Sequence, residues 1–234
     1  MKPKTFRALL RKTVKFDPLE VPNYGLQEAI RYLHIPHATL HYWLRPSIGL
    51  VQPAGRSSLS FKNLVECFVL EGLREIHGVR LPAIRKATDY LKSEFDFSHP
   101  LADCELKTDG RWIFFWHKGE YLNASLRGQV GIGPILDSYL RRIERDFQTR
   151  TWVLYPFMRL EQMRSQEDKP KVVSINTDVC SGKPVLNGSR ITTATLASRY
   201  LGGDKIPALA RSYGRPEWEI ADAISWETGQ VQAA

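Results

Sequence analysis

Long apolar runs are missing from this sequence. No stretch approaches the about 20 consecutive apolar residues that a helix needs to cross a bilayer, and the amino end lacks the apolar core of a signal peptide. A cytoplasmic protein is expected. Cysteine is sparse: Cys67, Cys104 and Cys180 are odd in number, far apart, and without metal-type spacing, so reduced thiols and no disulfide framework are expected. Catalytic constellations are missing too. Asp, Glu and His are scattered without a clustered acid–base pair, no Ser or Cys sits in a nucleophile-elbow sequence, and no carboxylate cluster could hold catalytic metal ions. Ser181-Gly182-Lys183 lacks the rest of a glycine-rich phosphate loop and reads as a turn. These absences predict no enzyme, no cofactor and no bound nucleotide. His37 and His41 stand four apart, a spacing that lets two imidazoles grip a metal. No third ligand lies nearby, so contact with DNA or solvent is preferred and no metal is expected.

Acid is absent before Asp17, and the charge that is present is unevenly placed. The net charge is +8 over 234 residues whose apolar and charged fractions are those of an ordinary globular protein, enough for one large or two to three small domains. Residues 1–57 hold nine Lys and Arg against three Asp and Glu, whereas 58–100 balance at six each, 101–170 at eleven against ten, and 171–234 at seven against six. The positive field is therefore local, as in a module that neutralises phosphates. Lys2, Lys4, Arg7, Arg11, Lys12 and Lys15 form an arm that suits either a solvated tail or phosphate contact.

Beside that arm, Leu26, Ala29, Ile30 and Leu33 recur at i, i+3, i+4 and i+7 and predict a short helix with one apolar face. His34-Ile35-Pro36 breaks the pattern, and Pro36 suits the start of a second helix carrying His37 to Leu44. Leu40 with Trp43 or Leu44 would face the core. His37, Thr39, His41, Tyr42 and Arg45 remain outward, all able to bond phosphates or base edges and none acidic. Gly49 to Phe61 then places an Arg-bearing turn, Arg56-Ser57, between short β-prone runs and predicts a two-stranded wing. The run Tyr24 to Trp43, the wing Gly49 to Ser60 and the helix beginning near Phe61 resemble the MerR-like family of winged helix-turn-helix proteins. That resemblance implies the second helix in the major groove and a phosphate role for Arg56. The same apolar pattern also suits a three-helix domain used for protein contacts.

Helical spacing continues through Phe61–Ile76 and Leu81–Leu91. Trp112–Trp116 and Tyr121-Leu122 predict a hairpin about Lys118-Gly119, with its aromatics on a buried sheet face. Ile135, Leu136, Tyr139, Leu140, Ile143 and Phe147 predict an amphipathic helix that seals the core or pairs two subunits. Ser165–Pro170 reads as a linker. Beyond it, Val172–Ile175 predicts a strand, Asn187-Gly188 a type I′ turn between Pro184–Leu186 and Ser189–Ile191, and three helices follow. The last exposes Glu217, Glu219 and Asp222, which makes it a poor DNA reader and a better protein surface. The partner-binding candidates of this C-terminal unit are Arg190, Arg199, Arg215, Trp218, Glu219 and Trp226, with Trp218 exposed or half-exposed and Arg190 or Arg199 able to pair with carboxylates.

The run Asn176 to Ile191, with the helices after it, resembles the short C-terminal domain of antitoxins from VapBC-like toxin–antitoxin modules. With the MerR-like head the resemblance covers nearly the whole chain. It implies an antitoxin that binds a PIN-domain, VapC-like ribonuclease toxin and represses its own operon on operator DNA. A homodimer is expected from docking geometry. The alternative is a stand-alone MerR-like regulator whose aromatic hairpin region senses a small effector. The expected fold is mainly α with small β-hairpins (α+β). It divides into a winged helix-turn-helix over 1–100, a hairpin and amphipathic helix over 101–170 ending in a linker, and an antitoxin-type domain over 171–234.

Overall fold

The computed structural model describes residues 17–104, 106–108, 113–117, 120–126, 129–130, 141–146, 151–158 and 170–229. The basic arm, Trp112, the pair Lys118-Gly119, Ile135–Leu140, Phe147 and Ser165–Lys169 lie outside them. The chain is a mixture of helices and small antiparallel sheets around one continuous apolar cluster running from Leu19 to Trp226. No helix among the described residues is long and apolar enough to cross a membrane.

Strand β1 (Tyr24–Gly25) leads into helix α1 (Leu26–Leu33), where the Glu28 carboxylate accepts the Gly25 backbone N–H at 2.7 Å and satisfies an otherwise unpaired donor. Helix α1 ends at His34, whose φ of 55° is left-handed. Pro36 (φ −58°) then precedes α2 (His37–Trp43). Strand β2 (Ser58–Leu59) pairs antiparallel with β1, Tyr24 opposite Leu59. The expected two-stranded wing over Gly49 to Ser60 is therefore corrected. Its second arm belongs to β1, and only the Gly55–Ser58 bridge closes a two-residue turn at Arg56-Ser57. The cause is Asn63, whose Nδ2 donates to Gln52 O at 2.8 Å and whose Oδ1 accepts Ala54 N–H at 2.9 Å, holding Gln52–Ala54 as a loop rather than a strand.

Ser60 caps helix α3 (Phe61–Glu71): its Oγ accepts Asn63 N–H at 3.1 Å while Asn63 Oδ1 accepts Ser60 N–H at 3.2 Å. All of α3 except Lys62 is buried, so it is the central helix, and it runs on as a π-turn through Gly72–Ile76. Helix α4 (Leu81–Phe95) and the short α5 (Pro100–Asp103) follow, each with proline in its first turn. Strands β3 (Leu106–Thr108), β4 (Ile113–His117), β5 (Glu120–Asn123) and β6 (Gln129–Val130) form a meander in that order. Its Ile113, Phe114 and Phe115 are buried, and Phe115 meets Phe95 of α4 edge-on at 4.9 Å between ring centres.

The amphipathic helix expected through Ile143 is corrected over its described part. Ile143–Asp146 is strand β7, paired with β8 (Thr151–Leu154) in the register Ile143–Leu154 and Arg145–Trp152. Alternation in burial follows, with Ile143, Trp152 and Leu154 inward and Glu144 and Asp146 outward. Leu154 also exchanges both backbone bonds with Ile175, at 2.9 and 2.8 Å.

Strand β9 (Val173–Ser174) pairs with β10 (Val185–Leu186). The Asn187-Gly188 turn is closed by Ser189 N–H to Leu186 O at 3.0 Å, with Gly188 at φ 70° and Asn187 outside the left-handed region. Only the second central residue is left-handed, which makes it a type II rather than the expected type I′ turn. Helices α6 (Thr193–Leu201), α7 (Ile206–Tyr213) and α8 (Glu217–Thr228) complete the fold. Thr193 opens α6 and bonds Glu227 near the end of α8 at 2.6 Å, so the two pack antiparallel.

Candidate functional site

Burial of Leu40 and Trp43 fixes how α2 is rotated. Three residues spaced by four, His37, His41 and Arg45, then form an exposed column. The two imidazole rings lie 4.2 Å apart with a 36° tilt. Thr39 and Tyr42 are half-buried on its flank, and the Tyr42 ring lies 5.9 Å from the Arg45 guanidinium. The outer face thus offers two imidazoles and a guanidinium with no acid among them. Arg56 and Ser57 are exposed at the tip of their turn. Beneath that tip a Cβ at Gly55 would touch Pro22 and oblige the Ser58 hydroxyl to turn aside. Among the described residues, no three His, Cys, Asp or Glu side chains gather as a metal site.

His34 packs between the head and the loop after β8, its Nε2 3.1 Å from Phe157 O. Burial lowers its pKa, outweighing that bond, so the ring is neutral near pH 7. Burial, aided by the Glu28 charge, pushes the Tyr32 phenol up to about 12.

The C-terminal candidates separate into two groups. Arg190 is exposed, and Trp218 is 50% exposed. Leu201, 71% exposed, lies toward the same end of the antiparallel α6–α8 pair as Trp218. Arg215 instead donates to Glu219 at 2.8 Å and to Asn187 O at 2.9 Å, tying α8 to the type II turn. Arg199 donates to Asp204 at 2.7 Å and to the Tyr213 hydroxyl at 3.2 Å, joining α6 to α7. Both arginines, with Glu219, serve the domain's own architecture. Trp226 requires a correction: it is 1% exposed, its ring stacked on Tyr32 of α1 at 5.4 Å, and so is not on a partner surface.

That stack belongs to a joint between the two ends of the chain that sequence reasoning missed. Arg31 of α1 pairs with Glu227 at 3.0 Å, and Asn23 Nδ2 donates to Ser181 O at 2.7 Å. Cys180, Ser181 and Gly182 are consecutively left-handed, at φ 48°, 55° and 79°. This turn presses on β1, and a Cβ at Gly182 would overlap the Tyr24 hydroxyl and come within 2.8 Å of Asn23 Nδ2. The Tyr24 hydroxyl is buried without a well-formed hydrogen bond, since the neighbouring Asn23 amide is directed at Ser181 O; burial raises its pKa far above the ordinary phenol range. The only sequence signal for the joint was the Ser-Gly pair, which marks a turn and not what it touches.

Residues 173–226 match a family described as proteins of unknown function, DUF433. The chain is 29% identical over 240 aligned residues to a Mycobacterium tuberculosis protein whose provisional name is antitoxin VapB45, covering 90% of this chain and 95% of that one. It also shares its fold with the crystal structure of Rv2018 from Mycobacterium tuberculosis, with a TM-score of 0.59 and 22% identity over 89% of this chain and 99% of the other.

Proposed function

We propose that this protein is the antitoxin of a toxin–antitoxin module, a cytoplasmic homodimer that binds operator DNA to repress its own operon and holds a PIN-domain, VapC-like ribonuclease toxin. The observation that carries the reading is the extent of the similarity to the mycobacterial antitoxin, which runs through the head as well as the C-terminal domain. In this reading α2 enters the major groove in the manner of a MerR-like helix-turn-helix. His37, Thr39 and His41 touch base edges, Tyr42 and Ser57 flank the contact, and Arg45 and Arg56 bind phosphates. The exposed column, on α2 and just past its end, and the local excess of Lys and Arg over residues 1–57 support this assignment.

An electrophoretic shift on the DNA upstream of the gene, across a salt series, tests the DNA arm. Arg56→Ala is expected to reduce the salt slope by about one and to weaken binding on all sequences. His41→Ala is expected to cost about 1–3 kcal/mol of discrimination on the cognate site. Unchanged affinity in both variants rejects the assignment. The toxin arm is tested by copurification with a PIN-domain ribonuclease expressed from the adjacent gene, and an adjacent gene of another kind counts against the reading. Trp218→Ser and Arg190→Ala, both on exposed positions, are expected to lose toxin while the chain keeps its melting temperature. Deleting the C-terminal domain would be a poorer test, because it uncovers Tyr32.

A further inference from the structure

A cleft of about 460 Å3 lies between the Gln52–Ala54 loop and the carboxyl end of α4, a size within the about 300–1,000 Å3 of small-molecule sites. Pro53 and Phe97 give it apolar walls, and Lys92 and His99 line it with them. Behind His99 is Glu66, 2% exposed in the middle of α3, where packing alone would favour an apolar side chain. His99 Nδ1 bonds Glu66 Oε2 at 3.0 Å, which directs the Nδ1 proton to the carboxylate and leaves Nε2, on the opposite edge of the ring, without a partner among the described residues. Burial pulls the imidazole pKa down, but the bond and charge of Glu66 outweigh it and raise the net value, favouring the cation. The Lys92 ammonium forms no close ion pair among the described residues, its charge acting on Glu66 only at longer range. Glu20, the acid that lines the cleft, is engaged by Lys62 at 3.0 Å, and Lys62 reaches Asp103 at 3.2 Å as well. Lys92 and the Nε2 edge of His99 thus offer the cleft two donors beside Pro53 and Phe97, the His99 ring being paired through its other nitrogen with Glu66.

We propose that this cleft binds a small organic anion, its carboxylate or phosphate group bridging Lys92 and His99 and its apolar part packed between Pro53 and Phe97. The site is wired to the loop that forms its other wall. Glu66 Oε2 also accepts from Asn63 Nδ2 at 3.2 Å, and Asn63 is the residue that holds Gln52 O and Ala54 N–H. A chain of hydrogen bonds therefore runs from His99 through Glu66 and Asn63 to the loop that ends in Arg56. An anion on His99 orders that loop and sets how Arg56 is displayed. The binding site stands by itself, whereas its consequence for DNA rests on the DNA-binding reading.

The test is calorimetric titration of the full chain, without DNA, by inorganic phosphate, citrate and benzoate. At least one is expected to saturate at one site per chain. Loss of one charge-assisted bond in Lys92→Ala or His99→Gln weakens that binding by about tenfold or more, while Lys205→Ala, which removes an exposed cation elsewhere, leaves it unchanged. His99→Gln retains a donor for Glu66, and Lys92 is only half-buried, so neither variant is expected to compromise the fold. Bound anion also slows tryptic cleavage after Arg56 in the wild type and not in Lys92→Ala. Failure of all three anions to saturate at tens of millimolar overturns the site. So does equal binding by wild type and Lys92→Ala, which would mark an adventitious ion only. Saturable binding with unchanged cleavage at Arg56 overturns the coupling to the loop.

Discussion

Replacing Gly182 with alanine tests the joint between head and C-terminal domain at one atom. Gly182 has φ 79°, so an L-residue there incurs the left-handed penalty of about 1–2 kcal/mol. The new methyl overlaps the Tyr24 hydroxyl, and overpacking of this kind costs about 1–3 kcal/mol. If the turn shifts to relieve it, the Asn23–Ser181 hydrogen bond, net about 1 kcal/mol, is lost too. The expected total is about 3–6 kcal/mol. Gly188 is the internal control, because it has a similar φ of 70° but nothing within 4 Å of its virtual Cβ, so Gly188→Ala should cost only the conformational part. Urea unfolding of the full chain followed by circular dichroism reads both. Adding Tyr24→Phe to Gly182→Ala should recover a large part of the loss, since it deletes the overlapped oxygen and a buried hydroxyl with no well-formed bond. A Gly182→Ala variant within about 0.5 kcal/mol of Gly188→Ala would refute the steric reasoning, the difference then falling within the ordinary non-additivity of distant sites.

Two further measurements bear on groups the fold has buried. Arg31→Ala leaves Glu227 with the Thr193 hydroxyl as its partner; for this half-exposed arginine the loss should be about 1–2 kcal/mol, and a double-mutant cycle with Glu227→Gln should show the two are coupled. Coupling of zero would mean that the pair aligns the joint without stabilising it. Glu66 and His99 both have raised pKa values, Glu66 by burial and His99 by Glu66 against the pull of burial, with Lys62 and Asp103 also acting on the ring. The native state therefore binds protons more tightly than the unfolded chain. The contribution of His99 is present below the ordinary histidine pKa and is lost as pH rises through the higher native value. The stability of wild type minus that of His99→Gln should fall over that window. Taking the difference cancels His34, whose lowered pKa acts with the opposite sign, and a flat difference would refute the assignment.

Much of the head was legible because its signals are local. The spacing of Leu26, Ala29 and Leu33 and the break at His34–Pro36 encode two helices within a few residues of each other, and burial of Leu40 and Trp43 follows from the same periodicity. The strand at Ile143 was not legible. Apolar residues at Leu136, Tyr139, Leu140 and Ile143 satisfy a helical period, and it took a partner at Thr151–Leu154, with Ile175 beyond it, to select the extended form. Asn187-Gly188 announced a turn, but its type depended on how β10 is held against β9. Trp226 lay on a correctly expected helix, yet nothing nearby in sequence says that its neighbour is Tyr32.

The amino-acid order thus settled by itself where the helices of the head and C-terminal domain lie, which face of α2 is polar, and where the positive charge concentrates, because each follows from the identities of residues within a turn or two. Tertiary structure alone decided that β2 joins β1, that Trp226 and Glu227 clasp α1, and that Lys92 meets His99, backed by Glu66, at one cleft. Those outcomes depend on contacts between distant segments, whose closure no local period records.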